Sequence, residues 1–189
     1  MKAVQIGAAG HAAYAYNAIK SRFIEFAAIS CGSHGNEAEN ISGALAGLEK
    51  RGFSPKLYDN WRDMLEREEP DIVIINPWFC DNADCAVYAL ERNIDVFCEK
   101  PVADTLEKLE KLEAAVKASG AKFAGMFGTR NEASFRAAKR AVEDGRIGEI
   151  RLMDSRKSYK LGARPDFYKS RETYCGIIPW VAIHAIDWM

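Results

Sequence analysis

Short apolar runs and amphipathic stretches alternate from residue 3 to residue 127. Residues 3–6, 24–30, 56–58, 71–75, 94–98 and 122–127 read as strands. The run Asp71-Ile-Val-Ile-Ile75 lacks polar alternation, the pattern of a parallel strand buried on both faces. Between these runs, residues 11–21, 37–51, 61–69, 82–92 and 104–120 predict helices. Ile41, Leu45 and Leu48 share one face of the second helix, and Gly52 ends it. Pro70 stops the third. In the last, Asp104 followed by Glu107 has the spacing of an N-cap and its partner. Leu106, Leu109, Leu112 and Val116 form its apolar face, and Gly120 closes it. Regular strand–helix alternation predicts an α/β, doubly wound parallel sheet with right-handed crossovers.

Past residue 127 the pattern changes. Residues 133–143 predict a helix ending at Gly145, and 149–159 predict a long strand with one exposed face. Residues 160–176 read as a loop. Residues 180–189 begin a helix that is apolar on most sides. A buried-looking helix with nothing after it predicts a second domain cut short. The expected division is a doubly wound α/β domain over 1–122 and an incomplete second domain over 123–189.

The formal net charge is -1, so no bulk field favours nucleic acid or an anionic membrane. No apolar run approaches the roughly 20 residues of a membrane span, and Met1-Lys2 leads straight into a strand instead of a signal peptide. Cys31, Cys80, Cys85, Cys98 and Cys175 form an odd set without a close pair, which suits reduced thiols and a cytoplasmic protein. Cys80 and Cys85, with Asp81 and Asp84 between them, lack structural-zinc spacing and a histidine, so no metal is expected.

The candidate chemistry sits at strand ends, where open parallel sheets bind ligands. Gly7-Ala8-Ala9-Gly10-His11-Ala12 links the first strand to the first helix. Gly7, Ala9 and Ala12 occupy the tight-turn, close-approach and packing positions of a dinucleotide fingerprint, with Gly10 in addition. A plain tight turn is the alternative. The second strand ends at Ser30-Cys31, where an acidic ribose ligand would be expected, and Gly32-Ser33-His34 follow. This neutral end leaves NAD and NADP both open, with Cys31 and Ser33 facing the ribose and Glu37 or Glu39 as further carboxylates. Asn76-Pro77-Trp78 ends the fourth strand and Glu99-Lys100-Pro101 the fifth.

Together with Gly145-Arg-Ile-Gly148-Glu-Ile and His184-x-x-Asp187, these motifs resemble the Gfo/Idh/MocA family of NAD(P)-dependent glucose–fructose oxidoreductases and inositol dehydrogenases. The resemblance implies a Rossmann domain followed by an α/β domain with a large open sheet. It also implies a lysine, here Lys100, beside the nicotinamide and the reacting hydroxyl, and a histidine, here His184, as acid/base. Glu99 and Pro101 would shape the cofactor wall, with the Lys100-Pro101 bond often cis in the family. Two positions depart from the family pattern: Trp180 stands where an aspartate is common, and Asn82 where a histidine is common.

Alcohol oxidation needs a base for the hydroxyl proton while hydride leaves for the nicotinamide. A free lysine has a pKa of about 10.4, and partial burial beside a cationic nicotinamide would lower it. A surface lysine paired with a carboxylate, and a core histidine bonded to Asp187 or to backbone, are the plainer roles for Lys100 and His184. Trp180 could stack on a sugar face. Arg130, Tyr159, Arg164 and Tyr168 could line a polyol pocket, or pack and solvate. The expectation is an NAD(P)-dependent oxidoreductase acting on a sugar or cyclitol, assembled as a homo-oligomer through the remainder of the second domain. The alternatives are a non-catalytic NAD(P)-binding regulator and a cofactor-assisted glycosidase.

Overall fold

The apolar runs become six parallel strands in one sheet, ordered β3-β2-β1-β4-β5-β6. The computed structural model describes residues 1–19, 24–34, 38–160 and 162–189. The strands are β1 (Lys2–Ile6), β2 (Glu25–Ser30), β3 (Lys56–Tyr58), β4 (Ile72–Ile75), β5 (Asp95–Cys98) and β6 (Phe123–Gly125). Helices α1 (Ala13–Ile19), α2 (Ala38–Glu49), α3 (Trp61–Glu68), α4 (Asn82–Leu90) and α5 (Leu106–Ala118) form the crossovers. The direction of winding reverses between β1 and β4, the neighbours at the sheet's centre. That is where an open sheet leaves a crevice.

Period-two alternation sends neighbouring side chains to opposite faces. Val4, Ile6, Val73 and Ile75 pack under Trp61, Met64 and Leu65 of α3, Ala86 and Leu90 of α4, and Leu112 of α5. Ala3, Ile29 and Ile74 pack on the other face with Ala15 and Tyr16 of α1 and Ile41 and Leu48 of α2. Both faces are therefore dry, which is why β4 tolerates no polar residue. Truncating a residue such as Ile75 to Ala would cost about 2–5 kcal/mol.

Helix ends follow local chemistry. The Asn60 side chain accepts from Arg62 N at 2.8 Å and caps α3, which stops at Glu69 before Pro70. The cap of α5 is Thr105, not Asp104: its hydroxyl accepts from Lys108 N at 3.2 Å. The Asp104 carboxylate instead lies 3.0 Å from the Lys108 ammonium. Of the expected apolar face of α5, Leu112 is buried while Leu106 and Leu109 are exposed. The end of the first helix and Glu37 lie outside the described residues.

Beyond β6, α6 (Ala133–Glu143) forms as its periodicity predicts. The expected strand over 149–159 does not form. Among the described residues no strand lies beside this segment, and its amides find no ladder partners; Leu152 stands 89% exposed. Alternation describes a face, but a strand exists only against a neighbour. A short helix, α7 (Arg171–Tyr174), follows. The expected helix over 180–189 is shorter: a π-helical turn, Ile178–Ala182, leads into α8 (Ile183–Asp187). No helix among the described residues is long and apolar enough to cross a membrane.

Candidate active site

The centre of the site is the bend after β1. Gly7 adopts φ 70°, a left-handed conformation that favours glycine. A Cβ there would lie 2.4 Å from Asn76 O and from Pro77, so the bend is closed against the end of β4. Gly7 N donates to Ser30 O and Ala9 N to Asn76 O, each at 2.7 Å, and Asn76 Nδ2 returns a bond to Ala9 O at 3.0 Å. The ends of β1, β2 and β4 are thus tied together. Ala9 packs with Phe79 and Phe167, while Ala12 packs between helix and sheet.

Glu99 reaches this bend from the end of β5 and is fully buried. Its Oε2 accepts from His11 N at 2.6 Å, and its Oε1 stands 2.9 Å from His11 Nδ1. The next residue, Lys100, is 2% exposed. Its Nζ donates to Trp180 O at 2.7 Å and lies 4.0 Å from Glu99 Oε1. The Phe79 and Trp180 rings flank it at 5.9 and 5.3 Å. Burial lowers the lysine from 10.5 to about 8, against the raising effect of Glu99, with Lys157 adding to the depression. An amine in that range exchanges its proton near neutrality.

His184, on α8, is buried with its ring 6.1 Å from that of His11. Burial, and then the Lys100 charge, lower it from 6.5 to about 4, so the ring is neutral at pH 7. Its Nε2 is buried without a hydrogen-bond partner. Asp187 does not hold it: its Oδ1 meets the Arg130 guanidinium and its Oδ2 makes no hydrogen bond. Arg130 is therefore an ion-pair residue. Tyr159, Tyr168 and Arg164 surround the Trp180 ring at 6.0, 4.9 and 5.3 Å.

The structure adds residues that the sequence reading did not assign. Asn82, at the start of α4, is fully buried. Its Nδ2 donates to Glu99 O at 3.0 Å and Pro101 O at 2.8 Å, bracketing the cis Lys100-Pro101 bond. The only sequence signal was its departure from the family histidine. To one side, Asp81 accepts from Ser33 N at 3.0 Å and lies 2.9 Å from His34 Nδ1. Trp78 lies flat between His34 and Phe167, at 5.3 and 5.4 Å. His34, Cys80 and Asp81 offer ligand atoms within 4.8 Å of one another. Burial, and then the Asp81 charge, push the Cys80 thiol up to about 12. Cys85, the other cysteine weighed in the sequence, is buried in the core with Leu90 and Ile94. Cys31 packs at the edge of the opposite core.

The family model described as "Oxidoreductase family, NAD-binding Rossmann fold" matches residues 1–127. The chain belongs to the Gfo/Idh/MocA oxidoreductase family. Inositol 2-dehydrogenase of Salmonella typhimurium is 29% identical over 147 residues, covering 77% of this chain and 42% of that protein. A proposed oxidoreductase from Thermotoga maritima superposes with a TM-score of 0.92 at 44% identity, over 100% of this chain and 57% of that one. The WlbA dehydrogenase of Bordetella pertussis, solved with NADH and UDP-GlcNAcA, shares the fold at 19% identity and a TM-score of 0.64, over 79% of this chain and 44% of that one. The chain thus spans about half the length of the relatives it matches.

The cofactor of this Gfo/Idh/MocA chain is NAD or NADP. The residues present fit such a group: Ser30 Oγ and Asn76 Oδ1, at the carboxyl ends of β2 and β4, are buried polar atoms without partners, and so is His184 Nε2 on α8. Buried polar atoms of this kind call for a partner.

Proposed function

We propose that the whole protein is an NAD(P)-dependent dehydrogenase of a sugar or cyclitol, with Lys100 as the group that takes and returns the hydroxyl proton. The observation that carries this reading is the buried Lys100 amine, lowered to about 8, beside the glycine bend at the winding reversal. Gly7, Ala9, Gly10, His11 and Ala12 would hold the diphosphate side of the cofactor. Asn76, Pro77, Trp78, Glu99 and Pro101 would form its wall, with Cys31 and Ser33 toward the ribose. When bound, the nicotinamide supplies hydride acceptance or donation. Lys100 Nζ accepts the substrate proton as a neutral amine and donates it in the reverse direction. Neutral His184 orients the same hydroxyl through its unpartnered Nε2, and Trp180 presents a ring to the substrate. Glu99 keeps the lysine from falling further, since its charge favours the ammonium form.

The dinucleotide unit would end after β6 and not at the expected residue 122, because that strand pairs with β5, and the residues beyond it would begin a second unit. Completion of that unit would supply the remaining substrate pocket and a homo-oligomer surface. The inositol dehydrogenase relatives support a polyhydroxylated ring as substrate. One observation favours a second reading, a cofactor-binding regulator: the Lys100 ammonium is bonded to the Trp180 carbonyl, where the family commonly places an acid. Cofactor reduction by the full-length protein over a panel of cyclitols and sugars, with wild type and Lys100→Met, separates the two. The dehydrogenase reading requires turnover by wild type that Lys100→Met abolishes while NADH binding persists. Tight cofactor binding with no turnover on any polyol would support the regulator.

A further inference from the structure

We propose that Asp81 is the carboxylate that reads the adenosine ribose, and that it makes this protein select NAD(H) over NADP(H). The inference rests on the nicotinamide dinucleotide assignment and deepens it. Sheets of this kind read the ribose with an acidic residue at the end of the second strand. Here β2 ends at Ser30, and Cys31, Gly32, Ser33 and His34 carry no carboxylate. The turn after β4 supplies one instead. Asp81 accepts the Ser33 amide at 3.0 Å, which anchors an anion on the backbone of the ribose loop from the neighbouring crossover.

The carboxylate is held from several sides. Asp81 N donates to Trp78 O at 2.9 Å, fixing the turn that carries it. The His34 ring lies 2.9 Å from its Oδ2 and is pressed flat against Trp78. The Ser33 hydroxyl is itself fixed by Trp61 Nε1 at 3.2 Å. A ribose diol brings hydroxyl donors to such a carboxylate, whereas a 2′-phosphate brings a charge of about −1.5 to −2 against it. The neighbouring cations are committed elsewhere. The Lys108 ammonium donates to Cys80 O at 2.6 Å and pairs with Asp104, and the Arg62 guanidinium lies over the Trp61 ring. His34 alone stands against Asp81 among the described residues that ion pairs place there.

The test is titration of the full-length protein with NADH and with NADPH, followed by nicotinamide fluorescence, for wild type and Asp81→Asn. Wild type should bind NADH about tenfold or more tightly than NADPH, and Asp81→Asn should bring the ratio toward one. A wild type that prefers NADPH, or an unchanged ratio in Asp81→Asn, overturns the proposal. If Asp81→Asn does not fold, Asp81→Ser removes the same carboxylate: the preference for NADH should fall toward one, and an unchanged preference overturns the proposal. Wild type that binds neither cofactor overturns the dinucleotide assignment and this inference with it. NADH affinity lost to a chelator and restored by zinc would give the His34, Cys80 and Asp81 trio to a metal, and would also overturn it.

Discussion

Gly10 and Glu99 occupy each other's side-chain space: a Cβ on Gly10 would lie 2.6 Å from Glu99 Cδ. Gly10 also adopts φ 59°, so backbone conformation and packing demand the same residue. Glu99 is buried and bonded to His11 N, which leaves it little room to yield. Gly10→Ala should therefore lower stability by about 1–3 kcal/mol and weaken NADH binding by displacing the His11 amide. Chemical denaturation of Gly10→Ala, Glu99→Ala and the double variant checks this. The double variant should lose less than the sum of the singles, because the clash is shared; strict additivity would mean that the two side chains do not compete.

A second buried carboxylate holds the opposite end of the sheet. Glu68, on α3, lies 2.6 Å from Lys2 Nζ, and its Oε1 accepts from Lys56 Nζ at 2.9 Å and Tyr58 OH at 2.6 Å. These hydrogen bonds, Lys2's first, lower its carboxyl from 4.5 to about 2 against the cost of burial. A depressed carboxylate stabilises the fold fully above the unfolded value and loses that contribution as pH falls. Stability should therefore drop between pH 4.5 and pH 2, more steeply in wild type than in Glu68→Gln. At pH 7, Glu68→Ala should cost about 1–2 kcal/mol, the loss of charge-assisted hydrogen bonds whose other partners, Lys2 and Lys56, can turn to solvent. Thermal melts across that pH range decide it; parallel curves for wild type and Glu68→Gln would remove the network from the acid response.

These two carboxylates show what the sequence makes legible. The strands are readable because a parallel strand buried on both faces must be apolar along its length, as β4 is. The glycine bend and the Glu99-Lys100-Pro101 end are readable because their spacing follows from local backbone. The α5 cap falls one residue past the expected Asp104, because Asp104 and Thr105 are both good caps and only φ and ψ choose between them. The segment 149–159 alternates correctly but depends on a neighbour that local sequence does not name. Asp81 and Asn82 are illegible for a related reason: the Ser33 amide and the carbonyls of Glu99 and Pro101 that they bond are backbone groups of distant segments, and the His34 ring beside Asp81 is distant in sequence too. A backbone partner leaves no trace in side-chain spacing.

The depressed Lys100 has a consequence in folding that needs no substrate. Its folded value of about 8 lies below the ordinary 10.5, so between those values the unfolded chain carries a proton that the folded protein sheds. Stability contributed by this group accordingly rises with pH through that window, and below pH 8 the folded state bears the full cost of a buried ammonium. Lys100→Met removes the cost and should be more stable than wild type by about 1–3 kcal/mol at pH 7. The gap should shrink toward pH 10. Denaturant unfolding of both proteins at pH 7, 8.5 and 10 measures it. A gap constant with pH would place the lysine in a solvated setting with no depressed proton affinity.

Asn82 is expected to act through Lys100 without touching substrate. Its one amide nitrogen donates to the carbonyls on both sides of the lysine, Glu99 O and Pro101 O, and so sets the direction in which the amine leaves the sheet. Asn82→Ala would leave two buried carbonyls without that donor and let the segment shift. Misplacement of a reacting group by about 1 Å can cost about a hundredfold in rate. In the full-length protein, kcat should therefore fall by about tenfold to a hundredfold, while the dissociation constant for NADH changes little. Asn82→His retains a ring N–H donor at the position where the family commonly has histidine, and should recover most of the rate. Equal losses in Asn82→Ala and Asn82→His, or a loss confined to stability, would show that the side chain fills space and does not aim the lysine.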